Sequence, residues 1–292
     1  MTDFSIRDLE RLTGIKAHTI RVWEQRYKLL VPTRTKTKIR IYQVEDLKKL
    51  LYVSVLSKNG FRPSYLASLS EREIQGHYDH LPDDESRLER RTGALLVSLY
   101  RGAAHEVEAI LNDCFLQWPV ETVIGSVVYP FLRRAGLLHK RQLGLEEQLM
   151  IPTLRRKLYW AIERLHPSQS KGKEILLLLP PMSTNECQLL YLHFELRRKG
   201  FVVHCLSSQA SFRVIEELFT RYPIGAVFAA LSRKGMLPME TLVSTLSLRY
   251  PAIFFQFVSE EGKKKSGKPP VERHFVSIDE ALLFLENAAT FP

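Results

Sequence analysis

The most constraining feature of this 292-residue chain is a pair of short amphipathic helices separated by one glycine near the N-terminus. Ser5 precedes apolar residues at positions 6, 9 and 12, a pattern that predicts a capped helix ending at Gly14. A second helix is predicted from about Ala17 to Tyr27, with apolar or aromatic residues at 20, 23 and 27. Two helices joined by a tight turn predict a helix-turn-helix, whose second helix can enter the major groove of DNA.

The other face of the second helix is polar and basic, and five of its residues suit phosphates or base edges. These candidate DNA-binding residues are His18, Thr19, Arg21, Gln25 and Arg26. For His18, a base contact and a solvated polar position both remain open.

A basic segment of alternating character follows the helix-turn-helix. Residues 34–42 intersperse β-branched residues with the candidate DNA-binding residues Arg34, Lys36, Lys38 and Arg40, and end at Tyr42. Alternation of this kind predicts a twisted hairpin, which would form a wing beside the recognition helix. A third amphipathic helix then begins near residue 44 and ends at the Asn-Gly pair at 59–60.

The positive charge of the chain is concentrated in the same region. The whole chain carries a formal net charge of +10. Residues 1–70 hold fourteen Lys and Arg against six Asp and Glu, so that 14 − 6 gives +8 and leaves about +2 for the remainder. Concentrated basicity is typical of proteins that bind the phosphate backbone, although basic surfaces also serve solubility.

Several classes of protein are disfavoured by the sequence. No apolar run approaches the length of a membrane span, and no signal segment stands at the N-terminus, so we expect no membrane partner and a cytoplasmic location. The three cysteines and nine histidines lack the spacing of a disulfide framework or a metal site, and the cysteines are expected to be reduced and mostly buried. No glycine-rich phosphate loop and no nucleophile with an adjacent base are found, so no enzymatic activity is expected.

Hydrophobic periodicity divides the rest of the chain. Residues 73–90 are polar, acidic and contain proline, which predicts a linker after a winged helix-turn-helix domain at 1–72. Residues 91–168 carry four amphipathic stripes and predict a four-helix bundle. Residues 172–292 alternate apolar runs of strand length with helical stretches, which predicts an α/β doubly wound parallel sheet. The expected fold is thus multidomain, with two helical parts and one Rossmann-like part.

The N-terminal residues carry a specific resemblance. The run Thr19-Ile-Arg-Val-Trp-Glu-Gln-Arg-Tyr27, the Leu30-Val-Pro32 exit, the basic wing and the Glu45-Asp46-Leu47 helix start resemble the DNA-binding domain of the MerR family. The resemblance implies that Thr19 and Arg21 read or clamp DNA, that Arg40 and Tyr42 grip phosphates, and that dimers bind a palindromic double-stranded promoter site.

The full architecture resembles the cobalamin-dependent, light-responsive repressors of the CarH/LitR type. In that family a W-x9-E-H motif of the bundle caps the corrin ring, and an E-x-H-x-x-G motif supplies the lower cobalt ligand. The aligned positions in this chain hold Leu137, Gln148, Ser183, Asn185 and Gln188. Since neither motif keeps its histidine, the sequence predicts no cofactor, and cobalamin bound at a rearranged site is the alternative.

These observations favour a transcription regulator, with repression the expected outcome, that binds promoter DNA as a homodimer or homotetramer. RNA polymerase is a further candidate partner. The C-terminal half is expected to mediate assembly, either as a ligand-free scaffold or with a pocket for a different small molecule. Two other hypotheses remain: an adenosylcobalamin-dependent light-responsive repressor with an atypical site, and an enzyme built on the Rossmann-like domain.

Overall fold

The computed structural model describes residues 3–35, 37–135, 145–165, 174–179, 184–207, 210–230, 236–258, 275–276 and 278–287. Contacts divide these residues into two compact units, one extending to residue 135 and including 145–150, and the other formed by residues from 151 onward. The helices of the described residues are α1 (Ile6–Thr13), α2 (Ala17–Tyr27), α3 (Val44–Lys58), α4 (Pro63–Ser68), α5 (Glu71–Asp79), α6 (Asp84–Tyr100), α7 (Ala104–Gln117), α8 (Val120–Val123), α9 (Tyr129–Ala135), α10 (Leu145–Glu163), α11 (Thr184–Arg198), α12 (Phe212–Arg221), α13 (Met236–Arg249) and α14 (Ile278–Asn287). The strands are β1 (Thr33–Arg34), β2 (Arg40–Ile41), β3 (Glu174–Leu179), β4 (Val203–Ser207), β5 (Ile224–Ala230), β6 (Phe254–Val258) and β7 (Phe275–Val276), and a π-helical turn (Ile124–Val128) joins α8 to α9.

The first two helices begin and end where the sequence predicts. The Ser5 hydroxyl accepts a hydrogen bond from the Asp8 amide at 3.2 Å, and the Asp8 carboxylate accepts one from the Ser5 amide at 3.0 Å. This reciprocal capping box fixes the start of α1. Gly14 adopts a left-handed φ of 75° and ends it. Helix α2 ends in the same way at Lys28, which has a φ of 52°.

Helix α3 joins the N-terminal helices to the helices that follow. Residues 73–90 are mainly helical in α5 and α6, and the prediction of a linker there is wrong. Polar residues of the predicted linker act at helix starts instead: Glu73 completes a capping box with Ser70, and the Asp83 carboxylate accepts from the Ser86 amide at 2.7 Å. Because Ile74 and Tyr78 of α5 are buried, the segment belongs to the core.

Packing between α3 and α6 joins the predicted head to the first helices of the predicted bundle in one unit. The Phe4 ring meets the Tyr100 ring edge-to-face, with centroids 4.9 Å apart. Arg101 forms an ion pair with Glu45 at 2.6 Å. The predicted helices of the bundle are all present, but the last of them, α10, begins in the first unit and continues in the second. The separate domain boundaries predicted at 72 and 91 therefore do not appear as breaks in the packing.

The second unit contains a five-stranded parallel sheet in the order β4-β3-β5-β6-β7. All six residues of β3 are buried, as expected for a central strand covered on both faces. Leu176 and Leu178 pack against Ile215 of α12 and Leu246 of α13, while α11 packs on β3, β4 and β5. Taken in chain order, the strands lie 2-1-3-4-5, an order found in doubly wound folds. The predicted change to an α/β architecture is confirmed in this coarse form.

The cysteines carry no disulfide in this structure. Cys114 and Cys187 are buried, as expected, whereas Cys205 is exposed and departs from that expectation.

Among the described residues, no group of three or more His, Cys, Asp or Glu side chains could hold a metal ion. None of the described helices is both long enough and apolar enough to cross a membrane.

A buried histidine lies on α11 beside the sheet. His193 is 9% exposed, and its Nδ1 lies 3.4 Å from the Sγ of Cys205 on β4. Its Nε2 has no hydrogen-bond partner among the described residues. Burial, with a smaller contribution from the positive charge of Arg197, lowers the pKa of His193 to about 4. The imidazole is therefore neutral in the folded protein near neutral pH.

This burial predicts acid sensitivity. The pKa of His193 is about 4 in the folded state and about 6.5 in an unfolded chain. The unfolded chain therefore binds the additional proton as the pH falls through this window. We expect the His193 contribution to cost about 2 kcal/mol of the free energy of unfolding between pH 7 and pH 5.

The measurement is urea unfolding of the native protein and of His193→Gln at both pH values. The variant should lose less stability on acidification than the native protein. His105→Gln is the matched control, since His105 on α7 is exposed, and it should retain the native acid sensitivity. Identical pH dependence in the native protein and His193→Gln would contradict the assignment.

Candidate nucleic-acid interface

The exposed face of α2 holds the side chains that the sequence predicts for DNA contact. Ile20 is fully buried and fixes the rotation of the helix about its axis. His18, Arg21, Gln25 and Arg26 are consequently exposed, whereas Thr19 is half-buried with its hydroxyl 3.3 Å from the Nε2 of His18. Residues 18, 21 and 25 follow the helical repeat and share one face. The helix thus presents an imidazole, a guanidinium and an amide together.

The wing is a two-stranded antiparallel ribbon in which Arg34 lies opposite Arg40. Its turn is stabilised by the Thr35 hydroxyl, which accepts a hydrogen bond from the Ile39 amide at 3.0 Å. Arg34 and Lys38 are exposed, and Lys38 has a left-handed φ of 62°. Lys36 lies outside the described residues. The wing therefore presents at least two exposed cations.

One acidic side chain joins the recognition helix to the wing. Glu24 of α2 accepts two hydrogen bonds from the Nε of Arg40, at 2.9 and 3.2 Å, and one from the Tyr42 hydroxyl at 3.0 Å. The Glu24 side chain is only 11% exposed, so these bonds form largely out of water. Charge-assisted bonds in such surroundings fix the angle between helix and wing.

Tyr42 differs from its predicted place on the DNA-contacting surface. The residue is fully buried, and its main chain pairs with that of Phe4 through hydrogen bonds of 2.9 and 3.0 Å. Burial, with the hydrogen bond to Glu24, raises the pKa of the Tyr42 hydroxyl, which therefore remains a protonated donor. The prediction of a phosphate contact by this side chain is wrong for the structure as it stands, because the hydroxyl faces Glu24.

Arg40 combines a structural contact with partial exposure. Its hydrogen bond and ion pair with Glu24 raise the pKa of its guanidinium, and its side chain is 27% exposed. The bonds to Glu24 use only Nε. The predicted phosphate contact by Arg40 therefore stays a prediction, and its loss would disturb the helix-wing junction as well.

Sequence reasoning missed Glu24 as a site residue. The available signal was an acidic residue in the middle of a helix face otherwise rich in cations. Arg40 and Tyr42 lie 16 and 18 residues away from Glu24. Helical or strand periodicity relates only near neighbours and does not encode such a pairing.

The exposed cations of this surface are available to an anion. Among the described residues, Arg21, Arg26, Arg34 and Lys38 form no ion pair with a carboxylate. Unpaired cations on a helix and an adjacent wing provide the charge pattern that a duplex phosphate backbone requires.

The positions aligned with cobalamin motifs fit that cofactor poorly. Leu137 and Ser183 lie outside the described residues, Gln148 is exposed at the start of α10, and the side chain of Asn185 is not described. Gln188 is 2% exposed, and its Nε2 has no hydrogen-bond partner among the described residues. A buried carboxamide thus fills the place where glycine would admit a ligand. The residues present therefore do not fit a histidine-ligated cobalt.

Comparison with known proteins agrees with this geometry. Residues 4–72 match the MerR HTH family regulatory protein family. The HTH-type transcriptional repressor CarA of Myxococcus xanthus is 28% identical over 205 residues, covering 70% of this chain and 67% of CarA. The HTH-type transcriptional regulator MlrA of Escherichia coli (strain K12) is 24% identical over 134 residues, covering 46% of this chain and 52% of MlrA.

The fold, the interface and these similarities define a DNA-binding transcription regulator. Its residues 4–72 are a MerR-type helix-turn-helix domain, and the resemblance seen in the sequence is confirmed. Both relatives are named as regulators of transcription, and neither is named as an enzyme.

The buried hydroxyl of Tyr42 supports a prediction. Tyr42→Phe removes the hydrogen bond to Glu24 but keeps the ring in the core. We expect the free energy of unfolding to fall by about 1 kcal/mol, because a buried acceptor loses one partner. The salt dependence of DNA binding should stay unchanged, because the hydroxyl contacts no phosphate.

Urea unfolding and fluorescence anisotropy with labelled DNA at several salt concentrations would measure both quantities. Tyr65→Phe is the matched control, since Tyr65 is 46% exposed and its hydroxyl should add little stability. A shallower salt dependence in Tyr42→Phe would show instead that this side chain reaches the backbone of DNA.

Proposed function

We propose that the protein represses transcription by binding double-stranded promoter DNA as a homo-oligomer through its MerR-type domain. The observation that carries the proposal is the joint surface of α2 and the wing, where Arg21, Arg26, Arg34 and Lys38 are exposed without an ion pair among the described residues. In a helix-turn-helix protein the second helix lies in the major groove and the flanking cations contact phosphates.

Individual contacts follow from the placement of these residues. His18, Arg21 and Gln25 lie on the exposed face of α2, which would enter the groove. They are therefore the candidates for contacts to base edges. Arg26, Arg34, Lys38 and the terminal nitrogens of Arg40 are the candidates for phosphates. Glu24 is a positioning residue, because it holds Arg40 and so the wing.

Assembly is assigned to the C-terminal half. A single copy presents one recognition helix, whereas promoter sites with two half-sites are bound by two-fold symmetric oligomers. Repression follows if the bound oligomer competes with RNA polymerase for the promoter. CarA is named as a transcriptional repressor, which supports repression rather than activation.

The alternative of an adenosylcobalamin-dependent, light-responsive repressor has less support. The buried side chain of Gln188 occupies the place of the glycine in the aligned motif. Cobalamin bound there would require displacement of a core residue, so the proposed regulator acts without it.

Arg21→Ala tests the proposed DNA contact. We expect affinity for the operator to fall by about 1–3 kcal/mol if Arg21 reads a base, with specificity relaxed at one position of the site. If Arg21 contacts only a phosphate, affinity should fall uniformly across sequences and the salt slope should decrease by about 1. Folding should be unaffected, since Arg21 is exposed and forms no ion pair with a described residue.

The experiment titrates a labelled fragment from upstream of the coding region with protein over a range of salt concentrations. Arg213→Ala is the matched control, because Arg213 is an exposed arginine on α12 of the second unit. Analytical ultracentrifugation of the complex gives the number of protein copies per fragment. Unchanged affinity in Arg21→Ala, or a single copy at saturation, would contradict the proposal.

A further inference from the structure

The first unit contains a cavity that the proposed DNA contacts do not use. Its volume is about 590 Å³, and it lies between α3, α5, α6 and α7. This volume falls within the range of small-molecule binding sites. Among the described residues that line it, none belongs to α2 or to the wing.

Cationic side chains outnumber carboxylates in the lining of the cavity. Its lining contains five cationic residues, Lys48, Arg87, Arg90, Arg91 and Arg101, against two carboxylates, Asp79 and Glu106. Three of the arginines form ion pairs: Arg87 with Asp84, Arg91 with Asp113, and Arg101 with Glu45.

The other two cations are held by uncharged groups. Arg90 donates a hydrogen bond to the Tyr78 carbonyl oxygen at 2.6 Å, and its guanidinium lies 5.8 Å from the centroid of the Tyr78 ring. The Nζ of Lys48 lies 5.5 Å from the centroid of the Tyr52 ring. Neither forms an ion pair with a carboxylate of the described residues. Two cations of the lining thus make no direct ion pair, and the carboxylates nearest to them in the lining are Asp79 and Glu106.

The walls of the cavity are planar as well as charged. The rings of Tyr52 and Tyr78 are stacked, with centroids 4.1 Å apart and an interplanar angle of 29°. The guanidinium of Arg87 lies 5.1 Å from the centroid of the Trp118 ring. The two tyrosine rings cover each other and are approached by Lys48 and Arg90, so the Arg87-Trp118 pair is the planar surface onto which the flat ring of a nucleobase can pack.

Gly93 of α6 lies close to the Tyr78 hydroxyl. An added Cβ at Gly93 would lie 3.2 Å from the Tyr78 hydroxyl oxygen and 3.9 Å from the Cβ of Leu51. A side chain at position 93 would require the Tyr78 hydroxyl to shift by a few tenths of an ångström. Glycine at this position thus leaves room for the Tyr78 hydroxyl where it lies.

We propose that this cavity binds a small phosphorylated ligand with a planar aromatic ring, of the chemical class of a nucleoside polyphosphate. Lys48 and Arg90 hold its phosphates, and the Arg87-Trp118 pair stacks with its ring. Polyphosphate alone would pair with the two cations but leave the Arg87-Trp118 surface uncovered, and a nucleoside alone would leave both cations without an ion-pair partner. A DNA duplex is too wide to enter a cavity of this size.

The ligand would act on the regulator through α3. Lys48, Leu51 and Tyr52 of this helix line the cavity, together with Tyr78 of α5 and residues of α6. Because α3 also packs on α1 of the helix-turn-helix, a ligand bound here contacts the element that supports the recognition helix. Coupling of ligand and DNA binding would be reciprocal.

The test is isothermal titration calorimetry of the full chain, without DNA, with four probes: ATP, GTP, inorganic tripolyphosphate and adenosine. We expect at least one of the two nucleotides to bind, and to bind at least tenfold more tightly than tripolyphosphate or adenosine. Lys48→Gln and Arg90→Gln should each weaken that binding by tenfold or more. Arg213→Ala should leave it unchanged.

Lys48→Gln keeps the experiment decisive if Arg90→Gln disturbs α5, since Lys48 is half-buried and forms no hydrogen bond or ion pair with a described residue. Absence of nucleotide binding at about 1 mM, the weak end of specific affinities, would overturn the proposal. Equal affinity for tripolyphosphate would also overturn it, as would full affinity in Lys48→Gln. Because no DNA is present, failure here would leave the proposed DNA contacts standing.

Discussion

The geometry of the DNA-binding surface depends on a single carboxylate. Glu24 is shielded from water and binds Arg40 and Tyr42 together. A carboxylate in such a position requires its partners, because an unpaired buried charge is costly. The same bonds set the distance between the recognition helix and the wing, and leave Arg21, Arg34 and Lys38 exposed around them. An acidic residue thus organises a surface whose function requires positive charge.

The second constraint is the packing of α6 on α3. This contact joins the MerR-type domain to the following helices, so the first unit has one continuous core. Tyr78 of α5 contributes to this core. Its ring stacks on Tyr52 of α3, and its carbonyl oxygen accepts a hydrogen bond from Arg90 of α6. In consequence, a charged cavity lies where the sequence predicts a boundary between two domains.

Local rules predict much of this structure. Ser5 and Gly14 mark the ends of α1 because caps and left-handed turns act over a few residues. The exposed face of α2 follows from its helical repeat, and the strands of the second unit follow from apolar runs such as 174–179. The wing and its cations follow from the alternation of residues 34–42 together with the MerR-type resemblance.

Other features depend on contacts between distant segments, and these could not be predicted. The polar residues at 83 and 86 cap a helix, yet the same composition is typical of a linker. Tyr42 has the sequence context of a basic wing, and only its burial and its hydrogen bond to the distant Glu24 show that its side chain faces inward. The cavity escapes sequence analysis for the same reason, because Lys48, Arg90 and Trp118 come from three segments that are distant along the chain.

Phe4 contacts both the residue that follows the wing and the end of α6. Its main chain pairs with Tyr42 beside the wing, and its ring packs against Tyr100 at the last turn of α6. The wing and the end of α6 therefore share one anchor, although almost sixty residues separate them along the chain. Because one residue packs against both, loss of the Phe4 ring would loosen the support of the wing and of the last turn of α6 together.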